Sequence, residues 1–223
     1  MKLVFDIETD DLKATKIWCI VTIDEEGFER TFDPEHIEDG IKHLQEADTL
    51  IGHNILGFDI PVIKNLYGVD LFDKQIIDTL VVSRLINPNK EKGHSLQNWG
   101  FLLGQNKGTP PEDFTIYSKE MLDYCVLDVR LNRKLYQHLQ QHVKGFSQEC
   151  VDLEHSVFKI ISQQRKDGFK FDMVQAMSLL SKLVARRKEV EDEVHETFKP
   201  KWVDVKEVEP RLKKDGTLSK QGL

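Results

Sequence analysis

The chain has 223 residues, 39% hydrophobic and 31% charged, enough for one well-cored domain and a smaller appendage. No apolar run approaches the roughly 18 residues that span a bilayer, and Cys19, Cys125 and Cys150 show no CxxC spacing, so a membrane span, a zinc site and a disulfide framework are all unexpected. The net charge of −7 is carried by residues 1–150, the remainder being slightly basic; this excludes tight non-specific nucleic-acid binding by charge alone and suits divalent cations instead. Asp6 stands where an export signal would continue its apolar core, so a reducing, cytoplasmic compartment is expected.

Lys2–Phe5 reads as a short apolar strand running straight into Asp6 and Glu8. Ile17–Ile23 is a second strand, and Asp24-Glu-Glu-Gly27 turns into a third around Phe28–Phe32. Ile37, Ile41 and Leu44 recur at helical spacing, which predicts a surface helix over 34–46. Thr49-Leu-Ile51 is a buried strand delivering His53 and Asn54 at its end, and Pro61 fits the first turn of a helix over 60–67. Asp78 caps a helix to Ile86, a polar loop covers 87–93, and Ser95 caps a helix through Trp99 and Leu103. After a loop over Gly104–Pro111, Ser118 opens the longest helix of this half, with Met121, Leu122, Cys125, Val126, Val129 and Leu135 as its apolar stripe.

Beyond Gly145 the character changes. Two long helical patterns, over 149–166 and 172–198, are separated by Gly168 as a stop and Asp172 as a new N-cap, and the Lys-rich tail over 199–223 shows no period. The chain therefore divides into an α/β domain over 1–147 and a helical extension over 148–223.

Three fragments carry the chemistry: Phe5-Asp-Ile-Glu-Thr9, Asn54-Ile-Leu-Gly-Phe-Asp59 and Tyr124-Cys-Val-Leu-Asp128. Asp6 and Glu8, two apart on a strand, point to one face and can share a metal ion, although a bare Asp-x-Glu is more often a solvated strand end. Asp59 opens a helix, where its plain role is an N-cap; the Phe58 ring beside it suits stacking on a base. Tyr124 and Asp128 are one helical turn apart, their Cβ atoms about 5–6 Å from each other, a spacing shared by any tyrosine bonded to a helix-surface aspartate. Singly, each fragment has an ordinary structural reading. Together they outline a carboxylate cage of the kind that holds two divalent metals and hydrolyses a phosphodiester. His53 reads as a hydrogen-bonded strand-end histidine, Arg84 equally as a phosphate contact or a surface ion pair, and Trp99 as core.

In this order the fragments resemble the motifs of the DnaQ-like (DEDD) superfamily of 3′–5′ exonucleases, Tyr124 marking the subclass with tyrosine in the third motif. The segments Gly52–Pro61, Ile76–Ile86 and Gly93–Gly100 are similar to the proofreading domain of family A DNA polymerases from short-tailed phages. The resemblance covers about residues 1–145 and extends more weakly through Leu153-Glu-His155 and Gly168-Phe-Lys-Phe-Asp172. It implies an α/β fold with a ribonuclease H-like mixed sheet flanked by helices, followed by helices like the start of a polymerase thumb. It implies that Asp6, Glu8, Asp59 and Asp128 ligate two divalent cations, Mg²⁺ or Mn²⁺, that Tyr124 orients the attacking water, and that Asn54, Leu56 and Phe58 contact the 3′-terminal nucleotide. The implied substrate is a single-stranded or frayed 3′ end of DNA, cut to nucleoside 5′-monophosphates in the cytoplasm of a phage-infected bacterium. No polymerase carboxylate set follows before Leu223, so palm and fingers are expected on another polypeptide, unless the chain is truncated. An RNA-trimming enzyme of the same superfamily and a polymerase-assembly module are the competing expectations.

Overall fold

In a computed structural model of the chain, residues 1–105, 107–199, 201 and 203 are described, so most of the predicted aperiodic tail falls outside them. Five strands form one sheet: β1 (Lys2–Thr9), β2 (Ile17–Asp24), β3 (Glu29–Phe32), β4 (Thr49–Gly52) and β5 (Gln75–Asp78), in the order β3-β2-β1-β4-β5. β1 and β3 each run antiparallel to β2, while β4 runs parallel to β1 and to β5. The helices are α1 (Ile37–Glu46), α2 (Asp59–Tyr67), α3 (Thr79–Ile86), α4 (Leu96–Leu103), α5 (Lys119–His142), α6 (Gln148–Asp167) and α7 (Met173–Thr197). The mixed sheet flanked by helices is the architecture expected from sequence.

β1 lies at the centre and is covered on both faces. Its odd residues Leu3, Phe5 and Ile7 join Ile41 and Leu44 of α1 and Ile60 and Ile63 of α2 in one apolar cluster. On the other face, Val4 packs with Cys125 and Val129 of α5. Side chains alternate along a strand, so Asp6 and Glu8 follow Val4 onto the α5 face. Lower on α5, Leu131, Leu135 and Leu139 pack with Val82 of α3 and with Leu96 and Trp99 of α4. The same long helix thereby anchors both the sheet and the short helices. Each fully buried Phe or Leu here is worth about 1.5–3 kcal/mol relative to exposure, which holds β1 and α5 in fixed register.

The predicted caps at Asp78, Ser95, Ser118 and Asp172 each accept a backbone N–H at the start of their helix. Two local differences matter. β1 continues to Thr9, so the acidic pair lies within the strand and not past its end. β5 was not expected: it spans four residues, and Asp78 both ends it and caps α3.

The chain divides into two compact units, Met1–Gly168 and Phe169–Leu223. The expected boundary at 147/148 follows the change of composition, whereas α6 packs against β5 and α3 and carries the first unit one helix further. In the second unit α7 buries no residue; Met173, Met177, Leu180, Leu183 and Val184 stand exposed.

Gly52, the last residue of β4, leaves no room for a side chain: an added Cβ would lie 2.1 Å from Ile55 Cγ2 and 3.1 Å from the Phe5 carbonyl oxygen. Gly52→Ala is expected to destabilise the protein by about 1–3 kcal/mol through this overpacking, read as a lower midpoint in urea denaturation. An unchanged midpoint would show that the loop after β4 gives way freely.

Candidate active site

β4 ends at Gly52 and pairs with β1 only as far as Val4, which opens a cleft at the carboxyl ends of the parallel strands, where ligand sites form in α/β sheets. Its walls include Asp6 and Glu8 from β1, His53 and Asn54 after β4, Leu80 and Arg84 from α3, Tyr124 and Asp128 from α5, Arg165 from α6, and His94 and Lys107 from loops. Its volume is about 630 Å³. The i, i+4 spacing of α5 sets Tyr124 and Asp128 on the helix face that meets β1.

Asp6 and Glu8 bring ligand oxygens within 4.8 Å of one another and of the Cys125 sulfur. The thiol lies 3.6 Å from the Asp6 carbonyl oxygen, and burial pushes its pKa up, so it stands as a neutral wall beside the carboxylates. Asp59 sits beneath the cleft, buried, its Oδ1 accepting the Ile7 N–H at 3.2 Å. This replaces the expected N-cap role. The cap position of α2 is Phe58, which makes no side-chain cap bond, and Asp59 turns its carboxylate onto β1 past the point where β4 stops pairing.

The nucleotide-contact residues separate. Asn54 faces the cleft in a left-handed conformation (φ 68°), Leu56 is buried, and Phe58 packs on the core cluster, so the latter two stand back from the wall. His53 behaves as expected, its Nδ1 2.9 Å from Thr79 Oγ1. Burial first and Lys107 next bring its pKa down to about 4, leaving the ring neutral. Trp99 is core and donates its indole N–H to Ser83 Oγ.

Sequence reading missed Lys107 and Arg165. Lys107 Nζ lies 2.7 Å from Asp128 Oδ2 and 4.8 Å from the centre of the Tyr124 ring. It comes from an irregular loop, where no spacing announces it; only the fold brings it to Asp128. Arg165 belongs to a helix that looked like a lead out of the domain. Arg84 faces the cleft and makes no ion pair among the described residues, which removes the surface-pair reading.

Electrostatics set the site apart. Burial, with the charges of Asp59, Glu8 and Asp128 added, pushes the Asp6 carboxyl well above the usual carboxylate range. Glu8 is pushed up to about 8, by burial first and Asp128 next. Burial raises Asp59 to about 7 against the backbone N–H bonds it accepts. Asp128 is raised by burial too, with Lys107 pulling it back. Burial would lower Lys107, but Asp128 and Tyr124 outweigh it and hold the ammonium above its ordinary value. Asp128 Oδ1 is buried without a hydrogen-bond partner among the described residues. Crowded hard oxygens, one of them unpartnered, fit a divalent cation; the sulfur is too soft and too protonated to be a ligand for Mg²⁺.

The chain is 28% identical to the DNA-directed DNA polymerase of Enterobacteria phage T3 and, equally, to that of Escherichia phage T7, over 88% of this chain and 37% of either polymerase. It therefore spans little more than a third of the length of those relatives. Brucella melitensis NrnC shares the fold, with a TM-score of 0.60 at 18% identity over 77% of this chain and 89% of NrnC. The 3′–5′ exonuclease family model of the DNA polymerase A type matches residues 2–144, the stretch holding all three acidic fragments, and the chain belongs to that family.

Proposed function

We propose that this exonuclease acts on DNA, removing nucleoside 5′-monophosphates from single-stranded or frayed 3′ ends as the proofreading part of a phage-type DNA polymerase, in the cytoplasm of the infected bacterium. The observation that carries the reading is the convergence of Asp6, Glu8, Tyr124 and Asp128 on one cleft, with Asp59 behind them. It would work together with the palm and fingers of such a polymerase, whether on the same chain or on another, since the relatives are polymerases of which it matches only a part.

In this reading Asp6, Glu8, Asp59 and Asp128 would hold two divalent cations, Asp59 directly or through water. Two hard cations, Mg²⁺ or Mn²⁺, would supply activation of water and neutralisation of the leaving oxygen. Tyr124, its phenol pKa raised by burial, stays protonated at neutral pH; it orients water by hydrogen bonding and does not act as a base. Lys107, Arg84 and Arg165 face the phosphates. Asn54, which lines the cleft, would meet the terminal nucleotide, and Leu56 and Phe58 belong to the loop that carries it.

Asp6→Ala combined with Glu8→Ala is expected to lower cleavage of labelled single-stranded DNA on the order of a thousandfold or more, and Tyr124→Phe about tenfold to a hundredfold. Substantial cleavage by the double variant would sink the mechanism. Matched DNA and RNA oligonucleotides test the substrate; faster digestion of RNA would favour an RNA-trimming role.

The carboxylate shifts add a pH test. Glu8 rises from 4.5 to about 8 on folding, so between those values the metal-free native state binds protons that the unfolded chain has released. Stability therefore falls as pH rises through that window. The metal-free melting temperature should be lower at about pH 8 than at about pH 5, and Mn²⁺ should raise it more at the higher pH, where ligands need not lose protons to bind. A metal-free melting temperature that climbs with pH in calorimetry would contradict the assignment.

A further inference from the structure

Asp78 is fully buried at the end of β5, and its carboxylate accepts three backbone N–H groups. Oδ1 takes those of Asn54 at 2.9 Å and Leu80 at 3.0 Å; Oδ2 takes that of Leu56 at 3.0 Å. All three partners are donors only, so both oxygens must accept, and the group works as a carboxylate although burial raises its pKa. One bond, to Leu80, is the ordinary helix cap. The other two cross to the loop after β4.

That loop is tightly built. Asn54 holds its left-handed conformation while its carbonyl accepts the N–H groups of Gly57 and Phe58, and an added Cβ at Gly57 would lie 2.6 Å from Asn54 Oδ1. Asp59 follows directly and bonds back to β1. The position of Asn54 in the cleft wall and of Asp59 beneath it thus depends on how the loop is tied down, and its two inward amides are tied to Asp78.

Asp78 is itself held. Its own N–H donates to His155 Nε2 at 2.9 Å, and His155 Nδ1 donates to the Val151 carbonyl at 2.7 Å. These two partners require the neutral ring with the proton on Nδ1. His155 is the buried residue of α6, and Arg165 on the same helix reaches the cleft.

We propose that Asp78 and His155 are positioning residues of the exonuclease site, Asp78 fixing the Asn54–Leu56 loop and His155 fixing Asp78, so that α6 is a working part of the site. This rests on the reading of Asn54 as a contact to the 3′-terminal nucleotide. Neither residue touches the reacting atoms.

Asp78→Asn changes no volume but turns one acceptor into a donor, which must face either the Leu56 N–H or those of Asn54 and Leu80. In the full chain, hydrogen exchange at Asn54 and Leu56 should quicken about tenfold or more while the β1 amides keep their protection. KM for single-stranded 3′ ends should rise about tenfold with kcat changed less than about threefold, because Asp6, Glu8 and Asp128 are untouched. His155→Leu should act in the same direction, and His155→Gln, whose Oε1 can replace Nε2 as the acceptor, should restore the KM. This pair keeps the test alive if Asp78→Asn fails to fold. Unchanged protection at both amides, or a Gln variant no better than the Leu variant, overturns the proposal. Faster exchange with an unchanged KM also overturns it, reducing the brace to a structural one. A wild-type chain without 3′–5′ activity would instead remove the reading beneath it, and the exchange data would still report separately on the brace.

Discussion

A cluster of carboxylates taken out of water on one face is the constraint around which this protein is arranged. Burial pushes all four carboxyls up. Two like charges about 4 Å apart at an effective dielectric near 20 cost about 4 kcal/mol more, and the neighbouring carboxylates raise Asp6 and Glu8 further in that way. Only a frame that is rigid for other reasons can hold such a cluster. Here the frame is a central strand covered on both faces, and a long helix whose apolar residues are committed to two clusters. Lys107 supplies the one cation in direct contact with the cluster among the described residues, on Asp128.

Fold and site are one decision in β1. Odd residues build the core against α1 and α2; even residues begin with Val4 against α5 and continue as Asp6 and Glu8. A slip of one residue would bury the acids in the apolar cluster and turn Phe5 and Ile7 toward the cleft. The antiparallel register with β2, kept without interruption from Leu3 to Glu8, is what excludes that alternative.

Much of this was legible because it is local. Strand alternation, the caps at Ser95, Ser118 and Asp172, and the Tyr124/Asp128 spacing are properties of short stretches of chain. β5 escaped because four residues carry too little period, and its Asp78 was fully explained as a helix cap. For Asp59 the plain local reading as a cap does not hold, because a first-turn acid looks like a cap until the strand that needs its carboxylate is in place. Lys107, Arg165 and His155 escaped altogether, since their meaning is a partner distant in sequence. The ring of Phe58 looked free to meet a base, but the turn that presents Asn54 folds that ring onto the core.

The acidic charge of the chain looks ill-suited to a nucleic-acid enzyme, and the cleft explains how it serves one. Without metal, three carboxylates, Asp6, Glu8 and Asp128, line the cleft with three cationic side chains, Arg84, Lys107 and Arg165, so the charges cancel when every acid is ionised and each retained proton leaves a cation uncompensated. Two divalent cations would displace those protons and add positive charge beside the carboxylates, where a phosphodiester would sit. Three side-chain cations are too few to hold a nucleic-acid backbone tightly by themselves. The positive potential that favours a phosphodiester would then be concentrated where the ions sit, and a protein acidic overall carries little nucleic acid on its other surfaces.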